Sequence, residues 1–502
     1  MPRGRRPPGD TGRRPRSQAP HAGPRAGETP PGRSRTIARA RGYRTRAVES
    51  KPLVPSPLWR PLALVARELA RALLGPVALA WRVPAFLFAS RAARAEFLED
   101  LAAEPNIFQP VGELSLPDKP LCILISCAEA SGEIHALNLV TALRQAAREA
   151  GAPEPEFLGL GGPALAAQGV EILGDPVSRS TMGFAGVIGA LPFFVGLVLK
   201  VARRMCGRCP DIFVPVDSPA LHLPLARIAR SCSVPVVHFV TPQYWGWAPW
   251  RVGAYGQTVN LALSILPFEP AWFARRAVTV AHVGHPLLDE LGEQPGRQQP
   301  RADELCQRVV VLPGSRAGTI RRNLPSMLSA LELARGQDQE LEVVVVQRDA
   351  GQRELVESIL QDLQATGRVG LVCGGLEEEL GTAQLALSVS GTVLLDLLHQ
   401  RLPAVVVYRA ETRRQLWLAR HFLTTPWFSS VNLLAGREVY PEFFFQEPAP
   451  SPELLAAVAR GLGDGAWRAE CSRALEEPAR RLGPPGATRR AALAILGLVQ
   501  AG

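Results

Sequence analysis

From residue 119 onward, short apolar runs rich in β-branched residues alternate with segments that carry apolar positions at helical spacing. This alternation is typical of parallel sheets whose strands are joined by helices. The predicted strands of the first half are 121–127, 156–160, 212–216, 234–240, 259–265 and 278–283. Those of the second half are 308–312, 341–346, 369–373, 385–389 and 404–408. The pattern predicts an α/β chain with two Rossmann-like domains that face each other across a cleft.

A chain of 502 residues is too long for one compact core. We predict five segments: an arm over 1–51, an amphipathic helical segment over 52–117, Rossmann-like domains over 118–283 and 284–470, and terminal helices over 471–502. Ligands in such sheets bind beyond the carboxyl ends of the strands. The cleft between the two domains is therefore the expected site.

The net charge of +10 is carried by the first 50 residues, which hold 13 arginines and 3 acidic residues. This arm is rich in Pro and Gly and nearly free of large apolar side chains, so it is predicted to be disordered. Two interpretations stay open: a polybasic arm for anionic lipid or nucleic acid, or a dispensable extension. The rest of the chain is neutral overall, and we expect no nucleic-acid partner.

Residues 58–98 combine apolar and basic side chains. Their longest uncharged run, 72–81, is too short to span a bilayer, and breaks are expected at Gly75-Pro76 and at Pro84. The basic residues, the tryptophans and the apolar face predict helices that lie in a membrane interface. The alternative is that these helices pack on the protein's own body.

Eight cysteines are scattered along the chain, as in proteins of a reducing compartment. The one close pair, Cys206 and Cys209 in "CGRC", has no second pair nearby and precedes a predicted strand. This context favours neither a zinc ribbon nor a redox motif.

Two turns of the first half place carboxylates directly after a predicted strand. In "CAEASGE" the helix is expected to start near Ser131, with Glu133 in its first turn and Glu129 in the turn itself. In "DIFVPVDSPALH" Asp217 stands at the tip of the strand, before Ser-Pro. Asp217 and Glu129 are candidates for a catalytic role, although Asp217 also suits a simple helix cap.

Two turns of the second half predict anion sites. Gly314, Ser315 and Arg316 of "LPGSR" supply backbone N–H groups, a hydroxyl and a guanidinium before a helix, without the spacing of a Walker loop. The second turn, "SGT", repeats the pattern with Ser390, Gly391 and Thr392. Asp396, one helical turn later, is placed to accept hydrogen bonds from a ribose or sugar hydroxyl.

Anion-binding turns in one domain and carboxylates in the other suggest a nucleotide diphosphate facing a base. Inverting glycosyl transfer needs this layout, because a base takes the acceptor proton while the diphosphate leaves. A sugar-nucleotide epimerase fits the same layout. The residues by themselves therefore indicate a nucleotide-sugar enzyme.

From about residue 121 to the C-terminal region, the chain resembles the lipid-A-disaccharide synthase family, which has the glycosyltransferase-B architecture. The motifs that carry the resemblance are, in order, "AEASGE", "GLGGPALAAQGVEIL", "TMGFAGVIGALP", "PDIFVPVDSP", "TPQYWGWAPWRV", "LPFEPAWF", "VGHPL", "LPGSR", "SGTVLLDLL" and "VNLLAGREVYPEFFFQ". Singly, "LPGSR" or "SGT" is a weak signal. Their shared order makes the resemblance specific.

The resemblance implies transfer of 2,3-diacylglucosamine from its UDP donor to 2,3-diacylglucosamine 1-phosphate, with inversion and without a metal or cofactor. It implies a cytoplasmic enzyme associated peripherally with the inner membrane, and a homodimer with exchanged C-terminal segments. Asp217 matches the general base, and Glu129 and Ser131 match the motif that lines the cleft. Glu133, at the end of the same motif, is also expected to line the cleft. The positions that match the nucleotide-binding side are Arg316, Ser390, Gly391, Thr392 and Asn432.

The chain departs from the family pattern at several positions. Glu133 stands where the pattern has an aspartate, Asp396 where it has a glutamate, and Gly186 where a glutamate is expected. Behind Asp217, Ala220 replaces an aspartate and His222 replaces an asparagine. A carboxylate displaced by about 1 Å can cost about 100-fold in rate. We therefore expect Asp217 to have a thinner supporting shell. The alternatives are a relative that transfers another UDP-sugar to another lipid, and a weakened homologue that only binds.

Overall fold

The structure is a computed structural model that describes residue 57 and residues 59–104, 106–110, 114–179, 189, 191–207, 210–291, 305–335 and 340–500. For residues 76–85, 87–91 and 420 it describes the helical backbone alone. The predicted arm over 1–51, Cys209 and Gly186 lie outside these ranges.

The strands of the first half build a parallel sheet of two hydrogen-bonded groups, ordered β3-β2-β1-β4 and β5-β6-β7. Single bridges from Phe213 to Val236 and from Val216 to Phe239 join β4 to β5. Apolar side chains on both faces bury these strands, as parallel sheets require. The strands are β1 (Cys122–Ser126), β2 (Glu156–Leu160), β3 (Glu171–Gly174), β4 (Ile212–Pro215), β5 (Val237–Phe239), β6 (Leu261–Ser264) and β7 (Val280–His282).

The strands of the second half form one parallel sheet, ordered β10-β9-β8-β11-β12-β13. They are β8 (Arg308–Leu312), β9 (Glu342–Gln347), β10 (Val369–Cys373), β11 (Leu385–Ser388), β12 (Ala404–Arg409) and β13 (Glu442–Phe445). In both sheets the order reverses after the first strand, which is the arrangement of Rossmann-like domains. The predicted fold class is confirmed.

All the predicted strands are present, with ends that differ by up to three residues. Two strands, β3 and β13, are additional, and both lie at a sheet edge. Their residues are half-buried or exposed, and neither strand is a run of the β-branched residues that predict the central strands.

The helices cover the faces of the sheets and form the terminal region. Their bounds are α1 (Trp59–Leu101), α2 (Ala130–Glu149), α3 (Pro163–Ala167), α4 (Leu191–Cys206), α5 (Pro219–Ser231), α6 (Tyr244–Trp247), α7 (Val252–Gly256), α8 (Glu269–Ala274), α9 (Leu287–Leu291), α10 (Ala317–Ala334), α11 (Arg353–Asp362), α12 (Leu376–Thr382), α13 (Val393–His399), α14 (Arg413–Phe422), α15 (Ser430–Ala435), α16 (Pro452–Gly463), α17 (Gly465–Ala474), α18 (Glu476–Arg481) and α19 (Ala487–Gln500).

Helix α1 is continuous over 43 residues, so the predicted breaks at Gly75-Pro76 and Pro84 are wrong. Tertiary contacts hold it along its length. Buried Glu68 pairs with Arg227 at 2.7 Å, and Phe97 packs between Trp245 and Phe268. In the described part of the chain, no helix combines the length and the apolar character needed to cross a bilayer.

The C-terminal helix α19 returns to the first domain and packs on α2. Asp289 fixes its start, because its carboxylate accepts hydrogen bonds from the backbone N–H groups of Gly486, Ala487 and Thr488 at 2.6 to 2.9 Å. Arg489 pairs with Glu149 of α2 at 2.8 Å.

Candidate active site

The candidate site residues follow the strands at which the sheet orders reverse. Glu129 follows β1 and Asp217 follows β4, whereas Arg316 follows β8 and Ser390 follows β11. Ligands of open parallel sheets bind at such switch points, beyond the carboxyl ends of the strands.

Asp217 lies in a strained turn. Its φ is 53° and that of Ser218 is 46°, both in the left-handed region, at a cost of about 1–3 kcal/mol each. The helix α5 that follows has no side-chain cap at its N-cap residue, Ser218. Burial raises the pKa of the Asp217 carboxyl; the backbone N–H of Ser218 opposes this rise, and the charge of Glu129 adds to it. The turn thus holds a carboxylate more basic than usual, and capping does not explain its position.

The backbone of this turn is bonded on several sides. The N–H of Asp217 donates to the carbonyl of Phe239 at 2.9 Å. Its own carbonyl oxygen lies 2.6 Å from Nδ1 of His222 and 3.0 Å from Nε2 of His238. His222 also contacts the Ser126 hydroxyl at 2.9 Å. The predicted thin shell behind Asp217 is wrong, because His222 is buried and bonded to the turn.

Glu129 and Arg316 bring the turns of the two domains together. Nη2 of Arg316 lies 3.4 Å from Oε2 of Glu129, and the two side chains are 82% and 45% exposed. An ion pair this exposed contributes about 0–1 kcal/mol, so a ligand can displace it easily. Helix α2 begins at Ala130 with Glu129 at its N-cap, and Ser131 is exposed in its first turn.

Glu133 points away from this contact. It is buried, and its Oε1 accepts a hydrogen bond from the N–H of Leu165 at 3.2 Å. A side chain at Gly162 would meet both carboxylate oxygens at 2.7 Å. Glu133 therefore binds a backbone N–H in the first turn of α3, inside the domain. This bond does not correspond to the cleft-lining role expected from the sequence.

The turn after β8 is open and depends on a glycine. Gly314 has a φ of +100°, and a Cβ there would lie 3.0 Å from Thr319 and 3.2 Å from Val389. Ser315 and Arg316 are exposed, and the N-cap residue Arg316 makes no side-chain cap bond. The first N–H groups of α10 and the guanidinium together suit an anion.

The turn after β11 is also open, at the start of α13. Gly391 and Thr392 are exposed, and a Cβ at Gly391 would meet no atom within 4 Å. The Ser390 hydroxyl instead donates to the carbonyl of Phe428 at 2.8 Å. Gly391 and Thr392 thus remain accessible to a ligand, whereas Ser390 ties the turn to the following segment.

Asp396 is buried in α13 and has a protein partner. Arg348, just after β9, donates from Nη2 to its Oδ2 at 2.9 Å. Burial raises the pKa of Asp396 to about 6, and Arg348 opposes the rise. The sequence did not indicate this arginine, because Arg348 and Asp396 meet only when β9 and β11 flank β8 in the sheet.

The Asn432 side chain is fully buried, and the protein uses all its hydrogen-bonding capacity. Its Oδ1 accepts from the N–H groups of Val439 and Tyr440, and its Nδ2 donates to the Tyr440 carbonyl and to Glu442. Glu442 in turn accepts from the N–H groups of Phe428 and Ser429. Asn432 therefore holds the segment behind Ser390, and a direct nucleotide contact would have to break these bonds.

The geometry supplies two complementary chemistries on one side of both sheets. The first domain offers a basic carboxylate on a fixed backbone, and the second offers an exposed guanidinium, backbone donors and open turns. This combination suits displacement of a charged leaving group by a hydroxyl whose proton a base removes. The sequence analysis did not identify His238 and Ser126 as site residues. A histidine inside the apolar run 234–240 could have indicated a buried polar contact at His238.

A sequence profile of the family described as lipid-A-disaccharide synthetase matches residues 123–480 of this chain. A lipid-A-disaccharide synthase of Myxococcus xanthus is 35% identical over 387 residues, which cover 76% of this chain and 99% of the relative. One of Serratia proteamaculans is 32% identical, over 70% of this chain and 91% of the relative.

Among solved structures, a protein of Listeria monocytogenes described as a UDP-N-acetylglucosamine 2-epimerase has a similar fold. The TM-score is 0.50 at 14% identity, over 75% of this chain and 96% of the other. This similarity concerns the fold alone. The sequence relatives confirm the predicted glycosyltransferase of lipid A biosynthesis. The chain belongs to the lipid-A-disaccharide synthetase family.

Proposed function

We propose that this chain transfers 2,3-diacylglucosamine from UDP to the 6-hydroxyl of 2,3-diacylglucosamine 1-phosphate, with inversion at the anomeric carbon. In this proposal residues 118–283 hold the acceptor and the base, and residues 284–470 hold the UDP-sugar. The products are the β-1,6-linked disaccharide 1-phosphate and UDP.

The main observation in support of this proposal is the position of the Asp217 carboxylate. Its carboxylate follows β4 at the sheet's switch point, on a backbone that the protein holds in a strained conformation. Burial raises the pKa of this carboxyl, which makes it a better proton acceptor. Asp217 takes the proton of the acceptor hydroxyl as that oxygen attacks the anomeric carbon.

The second domain stabilises the leaving diphosphate. Arg316 and the first N–H groups of α10 supply positive charge and donors, and Gly314 lets the phosphates approach the backbone. Ser315, Gly391 and Thr392 offer further donors, and Asp396 receives sugar or ribose hydroxyls beside Arg348. These groups neutralise the leaving group, and we propose that the reaction needs no metal.

The test is release of UDP from UDP-diacylglucosamine in the presence of the acylated glucosamine 1-phosphate. Replacing the base by Asp217→Asn is expected to lower kcat roughly 10²–10⁴-fold, because a general base contributes a factor of this size. Binding of UDP, measured by calorimetry, stays unchanged.

Asp211→Asn is a matched control at the opposite end of β4, where Asp211 accepts a hydrogen bond from the N–H of Cys122 at 2.8 Å. It is expected to keep the wild-type kcat. A folded wild-type protein that forms no disaccharide would contradict the reaction. Near-normal turnover of Asp217→Asn would contradict the base role.

We also propose that the outer face of α1 lies on the cytoplasmic surface of the inner membrane. Its exposed apolar side chains support this: Trp59, Leu62, Leu73 and Leu74 are 65%, 52%, 79% and 65% exposed. The double variant Leu73→Ser, Leu74→Ser is expected to sediment less with vesicles of anionic phospholipid. Leu333→Ser, at a leucine of α10 that is 64% exposed, is the control. Equal sedimentation of both variants would contradict this placement.

The homodimer predicted from the resemblance remains a proposal. In a single chain α19 already packs on α2, so an exchanged dimer would repeat this contact between two subunits. Light scattering after gel filtration measures the mass directly. A monomer at micromolar concentration would contradict the exchange.

A further inference from the structure

The carbonyl oxygen of Asp217 is the meeting point of two buried histidines that come from different elements. His222 lies in the first turns of α5 and His238 in β5, and their side chains are 1% and 2% exposed. Nδ1 of His222 lies 2.6 Å and Nε2 of His238 lies 3.0 Å from this oxygen. A carbonyl oxygen has two lone pairs, and the two imidazoles occupy both.

We propose that His222 and His238 are positioning residues: they hold the Asp217 carbonyl and so fix the direction in which the Asp217 carboxylate leaves the turn. The claim that the two histidines hold the peptide after Asp217 is structural and stands by itself. The claim that they thereby affect turnover rests on the proposed role of Asp217 as the base.

The turn needs such support because its conformation is unfavourable. Asp217 and Ser218 both have positive φ values, of 53° and 46°, and neither is a glycine. On the N-terminal side, Val216 donates to the Ser126 carbonyl and Asp217 to the Phe239 carbonyl. The histidines hold the peptide that follows, so the Cα of Asp217 is fixed from both sides. Strained backbone persists only where its surroundings over-determine it.

The contacts also assign a tautomer to each ring. A carbonyl oxygen only accepts hydrogen bonds, so His222 carries its proton on Nδ1 and His238 on Nε2. Nε2 of His222 is then an acceptor for the Ser126 hydroxyl, 2.9 Å away at the end of β1. Burial lowers the pKa of His222 to about 4 and that of His238 to about 3, so both rings are neutral near pH 7.

This arrangement gives the departure from the family pattern at residue 222 a physical meaning. The pattern has an asparagine there, whose side-chain nitrogen, like Nδ1 of histidine, is bonded to Cγ. Both side chains can therefore donate from a similar place, and His222 keeps the donor while gaining the link to Ser126. A displacement of the base by about 1 Å can cost about 100-fold in rate, so a small movement of this peptide matters.

The kinetic test compares variants that remove the donor with variants that keep it. His222→Leu and His238→Met remove it, and we expect kcat to fall about 100-fold with KM for the UDP-sugar within about two-fold. His222→Asn and His238→Gln keep a nitrogen at the donor position. They are expected to recover kcat to within about ten-fold of wild type.

His282→Leu is the control for general destabilisation. His282 is another buried histidine of the first domain, and its Nδ1 contacts the Ser264 carbonyl at 3.2 Å. This variant should lower the melting temperature but keep kcat. The proposal is overturned if the Leu and Met variants keep wild-type kcat, if the Asn and Gln variants lose as much as they do, or if His282→Leu lowers kcat equally.

A spectroscopic test determines the tautomers of the two histidines directly and does not depend on enzyme activity. In protein labelled with 15N-histidine, two-bond 1H–15N correlation spectra distinguish the tautomers, and the signals are assigned by their loss in His222→Asn and His238→Gln. We expect the Nδ1–H form for His222 and the Nε2–H form for His238 at pH 7. The Nε2–H form at His222, or a charged ring at either position, would overturn the proposal. If the tautomers are found but Asp217→Asn is active, the base role fails and the positioning of the peptide stands.

Discussion

The turn after β4 and the turn after β8 both lie at the carboxyl end of a strand beside the switch point of its sheet, but they are built in opposite ways. The first holds non-glycine residues in the left-handed region and bonds their backbone to two histidines and a neighbouring strand. The second relies on Gly314, leaves Ser315 and Arg316 exposed, and makes no side-chain cap.

The difference follows from what each turn has to do. A general base must be aimed, so its backbone is fixed by the protein before any substrate arrives. An anion site must keep its donors free, so its N–H groups and guanidinium have few internal partners. Strain and burial therefore mark the turn that we propose carries the base, whereas openness marks the turn that we propose binds the diphosphate.

The strongest way to break this comparison is to close the open turn. Gly314→Val places a β-branched side chain at a φ of +100°, against Thr319 and Val389 at 3.0 and 3.2 Å. We expect the dissociation constant for UDP, measured by calorimetry, to rise on the order of 100-fold. Gly367→Val is the matched control, because Gly367 also has a positive φ, of +80°, but lies in the turn before β10, where a Cβ would meet no atom within 4 Å. A similar loss in both variants would mean that the two glycines do not differ in this way.

A smaller effect is expected from Arg316→Ala. The side chain is 82% exposed and makes one exposed ion pair, so its loss should leave the melting temperature unchanged. The value of kcat/KM for the UDP-sugar should fall about 10- to 100-fold, the size of a hydrogen bond to a charged group. Arg316→Lys should recover part of the loss. A melting temperature lowered by several degrees would show that this turn, too, depends on internal bonds.

The smallest expected effect is a shift in pH dependence. The charge of Glu129 is one of the causes that raise the pKa of Asp217, so Glu129→Gln should lower that pKa. The base is active when ionised, and the acidic limb of kcat/KM against pH should therefore move to lower pH.

Glu133→Gln is the comparison for this shift, because Glu133 bonds to Leu165 inside the domain and is not among the causes of the Asp217 shift. It should leave the limb in place. A limb that moves equally in both variants would contradict the electrostatic coupling between Glu129 and Asp217.

The sequence predicts the central strands of both sheets because buried parallel strands consist of continuous apolar residues. It failed at β3 and β13, where short edge strands carry no β-branched run, and at α1, where Gly75-Pro76 and Pro84 do not interrupt the helix. The contacts of Glu68 and Phe97, on either side of these positions, stabilise the helix against its local propensity to break.

The positions of the site residues were predictable, but their partners were not. Asp217 and Arg316 stand directly after strands, and this spacing is visible in the sequence. The bonds of Asp217 to His238 and of Asp396 to Arg348 arise only when distant segments meet, and those of Asn432 depend on the local path of the loop that follows it. For this reason the shell behind Asp217 was expected to be thin, although it contains two buried rings.

Helix α1 has a practical consequence for anyone who shortens this protein to the span of its family profile. The profile begins at residue 123, yet Phe97 fills an aromatic socket of Trp245 and Phe268, and Asp100 pairs with Arg275 at 2.8 Å. A chain that starts at residue 123 would expose Trp245 and Phe268 to water and leave Arg275 without the carboxylate of Asp100. A shortened version should therefore keep α1, because the start of the family profile would place the cloning boundary after residues that pack into the first domain.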